Sequence, residues 1–136
     1  MSEQENVQVV QQFYAAFRQG DIPSALSRLT IDDVERQQPG PADVLPWAGT
    51  RRGREQVAQC LAAIAEAMEF EQLEPREFIA QGDKVVVIVH ERARLKATGC
   101  TLEQDFVQIF TLRDGKVARY CVYEDTAAAV AAFRGA

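Results

Sequence analysis

Residues 84–125 read KVVVIVHERARLKATGCTLEQDFVQIFTLRDGKVARYCVYED. The stretch holds three long runs, 84–97, 101–112 and 116–125, parted by Thr98-Gly99 and Asp114-Gly115. The first run opens on four β-branched residues, Val85 to Ile88, which favour strand. Asp-Gly between two such runs signals a two-residue hairpin. Upstream, residues 69–80 (EFEQLEPREFIA) read as a fourth long strand, bent or bulged at Pro75, and Gln81-Gly82-Asp83 turns the chain into the next. Four long strands joined by tight turns make an antiparallel meander.

The N-terminal half changes period. Ser2 and Glu5 form a capping box, and Val7, Val10, Tyr14 and Phe17 recur at helical spacing with Val9 and Phe13 beside them. Gly20 stops this helix, and Asp21 caps a short second one with Pro23 in its first turn and Leu26 and Leu29 on its buried side. Residues 33–38 read as a short strand stopped by Pro39. The connection 39–53 carries three prolines, three glycines and the sole tryptophan, Trp47. A connection so long inside a compact domain is often functional. A third helix starts near Arg54, with Val57, Leu61, Ile64 and Met68 as its apolar stripe. A last short helix spans about 127–133. The expected fold is α+β: a strongly curved antiparallel sheet, cone-shaped, with three N-terminal helices packed over its concave face. Such a cone is a natural small-molecule pocket.

The 136 residues suit a single domain, 1–136. A net charge of −5 argues against a nucleic-acid surface. Cys60, Cys100 and Cys121 are odd in number, widely spaced and without metal-ligand pattern, so they read as reduced thiols. MSEQENVQ has neither the basic nor the apolar segment of a signal peptide, and no apolar run reaches the roughly 20 residues that span a bilayer. The expectation is a soluble cytoplasmic protein, with no membrane partner.

The ordered set FYAAFRQGDIPSALSRLTIDDVE (13–35), PWAGTRRGREQVAQCLAAI (46–64), GDKVVVIVHERARLKATG (82–99) and FTLRDGKVARYCVYEDTAAAV (110–130) resembles the nuclear-transport-factor-2-like superfamily. More closely it resembles the SnoaL-like polyketide cyclase and ketosteroid-isomerase-related branch. The resemblance covers nearly the whole chain and is more specific for fold than for function.

The resemblance implies that the connection after the first strand covers the mouth of the cone. Trp47 is then a lid or wall residue; the alternative is a plug in the helix–sheet interface. The related isomerases carry a carboxylate base at a position that falls on Gln38, an acidic donor at one that falls on Gln108, and a tyrosine near Phe13 and Tyr14. Glutamine is neither a base nor a strong acid at neutral pH, so classical ketosteroid isomerisation is not expected. Both glutamines can hydrogen-bond a ligand carbonyl or hydroxyl. The expected lining also includes Tyr14, Phe17, Phe106, Phe110 and Tyr120.

Three catalytic candidates follow. At regular pleat only one of His90 and Glu91 faces the cone. Alignment with the resembling family favours Glu91 and Ala93 inward, with His90 on the outer or dimer-facing side, and a single bulge reverses it. His90 has the titration range for proton transfer, or else is a structural or interface histidine. Counting from the Asp114-Gly115 hairpin points Tyr120, Val122 and Glu124 inward. Glu91 and Glu124 together form a carboxylate pair able to share a proton, unless either pairs with Arg92, Arg94 or Arg119 at the rim. An Asp–Arg–Asp relay of Asp105, Arg92 and Asp125, like that of epoxide-hydrolase relatives, ranks lower, because Asp105 lies opposite the Phe106–Gln108–Phe110 face. Arg51, Arg52 and Arg54 either attract an anion at a helix start or form a solvated face.

The expected function is small-molecule binding, with cofactor-independent isomerase or cyclase chemistry on an apolar oxygenated substrate of polyketide, steroid or terpenoid type. The alternative is a non-catalytic ligand-binding or dimeric interaction domain. A homodimer is expected through the convex sheet face, where Val86, Ile88, Val107 and Ile109 point outward.

Overall fold

Asp114 and Gly115 take φ of 52° and 77°, and Arg113 pairs directly with Lys116, so the Asp-Gly hairpin is a two-residue loop with both residues left-handed. It joins β5 (Thr101–Arg113) to β6 (Lys116–Tyr123) in a computed structural model that describes residues 2–135. The preceding strands are β3 (Met68–Gln81) and β4 (Lys84–Leu95). All three neighbouring pairs of the meander are antiparallel. The β3 register shifts between Phe70 and Gln72 and again between Pro75 and Glu77, where the proline bulge was expected. Bulges of this kind bend a strand and raise its twist, which curls the sheet.

Helix α1 (Glu3–Arg18) starts at the Ser2–Glu5 capping box and buries Val9, Val10, Phe13, Tyr14 and Ala16. Helix α2 (Ile22–Leu29) buries Ala25, Leu26 and Leu29, and α3 (Gly53–Ala67) buries Val57, Cys60, Leu61 and Ile64. These three pack over one face of the sheet. Helix α4 (Thr126–Arg134) is capped by Asp125, whose carboxylate accepts from the Ala128 amide at 3.0 Å, and packs on β5.

The sheet departs from the sequence reading in three ways. It has six strands, in the order β2-β1-β6-β5-β4-β3. β1 spans Thr30–Gln38, so it begins directly at the end of α2, and it runs parallel to β6, which makes the sheet mixed. β2 (Gly49–Arg52) lies inside the 39–53 connection and pairs antiparallel with Glu35–Gln38. Its sequence, GTRR, has no apolar alternation, so only its pairing reveals it. The parallel contact is topological: α3 and the whole meander intervene between β1 and β6, and a crossover that long lets a strand return in the same direction.

Along β4, Val85, Val87, Val89, Glu91, Ala93 and Leu95 are all buried, while the residues between them are not. The unbroken β4–β5 register from Lys84 to Arg94 keeps that alternation intact. A shift between Thr111 and Leu112 lets both Val117 and Tyr120 of β6 turn inward. The deepest layer is aromatic: Phe110 and Tyr120 stack at 5.2 Å, and Phe13 meets them edge-on at 5.9 and 5.6 Å. The three cysteines are free thiols. No helix among the described residues is long and apolar enough to cross a membrane.

Candidate functional site

Between the helices and the concave sheet face lies a cavity of about 760 Å³, counting the solvent at its mouth. Its wall is mostly apolar, with Phe17, Leu61, Ile64, Phe70, Leu73 and Phe106 among the lining residues. On its sheet side five side chains, from Glu91 to Arg36, form one connected polar chain.

The chain starts at Glu91, which β4's alternation turns inward and leaves only 6% exposed. Gln104, its register partner on β5, donates from Nε2 to Glu91 Oε1 at 3.1 Å and to Glu124 Oε1 at 2.8 Å. The Gln104 carbonyl accepts from the Asp125 amide at 3.1 Å, which fixes the side chain as a double donor. Glu124 follows β6 directly, and its other oxygen accepts from Gln38 Nε2 at 2.5 Å. Gln38 Oε1 accepts from Arg36 Nη2 at 2.8 Å, and Arg36 Nη1 donates to the Trp47 carbonyl at 3.3 Å.

Burial pushes the Glu91 carboxyl up to about 7. The Gln104 hydrogen bond opposes that shift and the Glu124 charge adds to it. At neutral pH both the protonated and the ionised form of Glu91 are populated. On the helical side, Tyr14 donates its hydroxyl to Gln108 Oε1. Burial pushes the Tyr14 phenol well above its ordinary range, with Tyr120 adding to the shift, so it stays a donor.

The structure brings together Tyr14, Phe17, Gln38, Trp47, Glu91, Phe106, Gln108, Tyr120 and Glu124, all of which line the cavity. Two candidates lie elsewhere. Phe110 shares the inward face but sits deeper, fully buried under Phe13 and Tyr120, and belongs to the core. His90 is on the outer face: its Nδ1 lies 2.7 Å from Asp105 and its Nε2 3.1 Å from Glu103. The pleat that buries Glu91 excludes its neighbour from the cavity.

The Asp105–Arg92–Asp125 relay is not assembled. Asp105 holds His90, Arg92 pairs with Glu71 at 3.0 Å, and Asp125 caps α4. Trp47 is a buried wall residue, not a solvated lid, with its ring edge-on to Phe133 of α4 at 5.1 Å. The three arginines fasten the connection. Arg51 donates to the carbonyls of Pro46 at 2.7 Å and Ala48 at 3.2 Å, Arg54 ties Thr30 and Asp32, and Arg52 reaches Glu35 at 3.9 Å. None of the three lines the cavity.

Sequence reasoning missed Arg36 and Gln104. Both were within reach of period two: Arg36 follows from an inward Gln38, and Gln104 faces Glu91 across the sheet. Among the described residues no cluster of His, Cys, Asp or Glu is placed to hold a metal ion.

The SnoaL-like domain profile matches residues 10–120. The chain belongs to the SnoaL-like family. This SnoaL-like protein is 40% identical to an NTF2-like protein from Burkholderia xenovorans, over 98% of each chain, with a TM-score of 0.89. It is 34% identical to TerC, crystallised with polyporic acid, over 96% of this chain and 98% of that one, with a TM-score of 0.82. An NTF2-like protein from Burkholderia pseudomallei is 27% identical over 98% of each chain, with a TM-score of 0.85. No protein of curated function matches the chain in sequence.

Proposed function

We propose that this SnoaL-like protein binds a small, largely apolar, oxygenated molecule in its cavity and that Glu91 transfers a proton on it, in a cofactor-independent isomerisation or cyclisation. The observation that carries this reading is a carboxyl buried in an apolar wall, pushed to about 7 and hydrogen-bonded through Gln104 to a second carboxylate. A base is most effective when its pKa lies near the working pH. Glu91 takes a proton from a carbon beside a carbonyl. The C–H electron pair moves into the new C=C bond and the carbonyl oxygen becomes an enolate. Return of the proton elsewhere completes an isomerisation. Attack of the enolate carbon on a second carbonyl, with the proton returned to the new alkoxide, completes a cyclisation.

TerC's co-crystal with polyporic acid supports an oxygenated occupant. Gln38, where isomerase relatives are expected to place a base, speaks against classical steroid isomerisation. The same reading includes a homodimer packed through the outer sheet face.

The test is solvent-deuterium exchange into 2-tetralone and a set of aryl 1,3-diketones, followed by proton NMR. The expected result is exchange above the buffer rate, reduced by roughly 10²-fold or more in Glu91→Gln. Ligands that raise the melting temperature but exchange no faster than in buffer would instead favour a non-catalytic binding domain. That second reading draws on Gln38 and Gln108, both of which are committed to protein partners.

A further inference from the structure

We infer that Arg36 and Tyr120 form the seat for a negatively charged oxygen of the ligand, so that the cavity selects an acid (a carboxylate or an acidic enol or phenol) on an apolar body. This rests on the cavity's being a small-molecule site, but not on proton transfer by Glu91.

Arg36 and Tyr120 are direct partners across the parallel β1–β6 pair, and the guanidinium carbon lies 5.7 Å from the Tyr120 ring centre. Arg36 is 3% exposed and Tyr120 1%, and both line the cavity. The hydrogen-bond partners of Arg36 are two neutral oxygens, the Gln38 amide and the Trp47 carbonyl. No ion pair among the described residues includes it. Its Nε and the Tyr120 hydroxyl are both buried and make no well-formed hydrogen bond, the hydroxyl lying against the Arg36 guanidinium.

A buried arginine without a carboxylate is costly, because the guanidinium cannot shed its proton to escape the penalty. Glu124 does not relieve it directly, since Gln38 stands between them. Tyr120 cannot be the counter-charge either: burial pushes its phenol up to about 12 although the Arg36 charge pulls the other way, so it remains a neutral donor.

The two groups thus offer donors beside a positive charge, and the only acceptor among them, the Tyr120 oxygen, lies against the guanidinium. Their complement is an anionic oxygen acceptor. An ester or amide of the same shape supplies an acceptor but leaves the charge unpaired. Beyond Tyr14, Gln38, Glu91, Gln108 and Glu124 the rest of the wall is apolar, so the charge belongs at one end of the ligand.

The experiment compares 6-hydroxy-2-naphthoic acid, its methyl ester and polyporic acid by titration calorimetry. Wild-type protein is expected to bind the naphthoic acid at least tenfold more tightly than the ester. Arg36→Gln is expected to weaken the acid about tenfold and to leave the ester within about twofold, and Tyr120→Phe to weaken the acid about tenfold and the ester only a few-fold. Arg36→Gln also loses bonds to Gln38 and Trp47 and can impair folding, so Tyr120→Phe carries the decision. It deletes only a hydroxyl that makes no well-formed hydrogen bond, and its melting temperature is expected to stay close to the wild type's.

Equal binding of acid and ester would overturn the anion seat and leave the small-molecule site standing. So would a Tyr120→Phe protein that melts lower yet keeps its affinity for the acid, because the hydroxyl would then be held by an internal water. Binding of none of the three compounds would count against the small-molecule site itself.

Discussion

Glu91 sets a pH dependence that can be worked out from its surroundings. Its carboxyl stands at about 7 in the folded protein against 4.5 in an unfolded chain. Folding therefore favours the protonated form. The contribution is full below about 4.5, is lost as pH rises from there to about 7, and stays constant above. At about 1.4 kcal/mol per pKa unit, ionising Glu91 in place costs up to ~3 kcal/mol at pH 8. Glu91→Gln keeps an oxygen for the Gln104 amide and carries no charge. It should stabilise the protein by up to ~3 kcal/mol at pH 8 and by almost nothing at pH 4.5, measured by urea denaturation at both values. A pH-independent difference would mean that residue 91 is not a buried carboxyl. His90 follows the same rule on the outer face. The Asp105 hydrogen bond, helped by Glu103, holds its pKa above the ordinary value against burial and the Arg76 charge. Its stabilising contribution is present below 6.5 and is lost as pH rises through the raised value. His90→Gln should remove that part of the profile without touching the cavity.

At the scale of elements, the 39–48 connection and α4 meet at the cavity wall through Trp47 and Phe133. Trp47→Ala should cost ~3–5 kcal/mol, as for other large aromatics removed from a packed site. Phe133→Ala is the milder cut: Trp47 emission should move to the red and ligand dissociation should quicken, read by fluorescence and stopped flow. Unchanged emission would show that α4 does not shield the indole. The elements also explain which parts of the site could be read from the sequence. Glu91 was legible because β4 runs against β5 without a bulge, so period two holds from Val85 to Leu95. Tyr120 was legible from its distance to the Asp114-Gly115 hairpin, and Gln38 only through the resemblance to the isomerases. Arg36 was passed over because a charged residue in DDVERQQ reads as surface, although it shares the buried face of β1 with Val34 and Gln38. Gln104 was hidden between Glu103 and Asp105, which do face outward. Phe110 had the right parity but the wrong depth, and depth depends on where Phe13 arrives from another element.

For the whole molecule, the inner sheet face is covered by helices and the outer face is not. Register on that outer face gives successive cross-strand rows: Ile79, Val86, Ile109 and Cys121, then Glu77, Ile88, Val107 and Tyr123. The next row, Glu74, His90 and Asp105, is ionic. Ile79 and Tyr123 are 53% and 48% exposed, so the apolar rows reach the edge of the sheet uncovered. A contiguous apolar patch of this kind is a liability on a monomer and a normal core for a dimer interface burying ~800 Å² on each partner. The ionic row fixes how two copies can align, because like-charged rows repel when superimposed and a two-fold axis through the apolar rows moves them to opposite ends. Sedimentation equilibrium at micromolar concentration should therefore return twice the 15.1 kDa chain mass. Ile88→Glu, at the centre of the second row, should return the single-chain mass while leaving ligand affinity within a few-fold, since the cavity lies on the other side of the sheet. A wild-type protein that stays at 15.1 kDa would require this face to be tolerated bare or to meet a different partner.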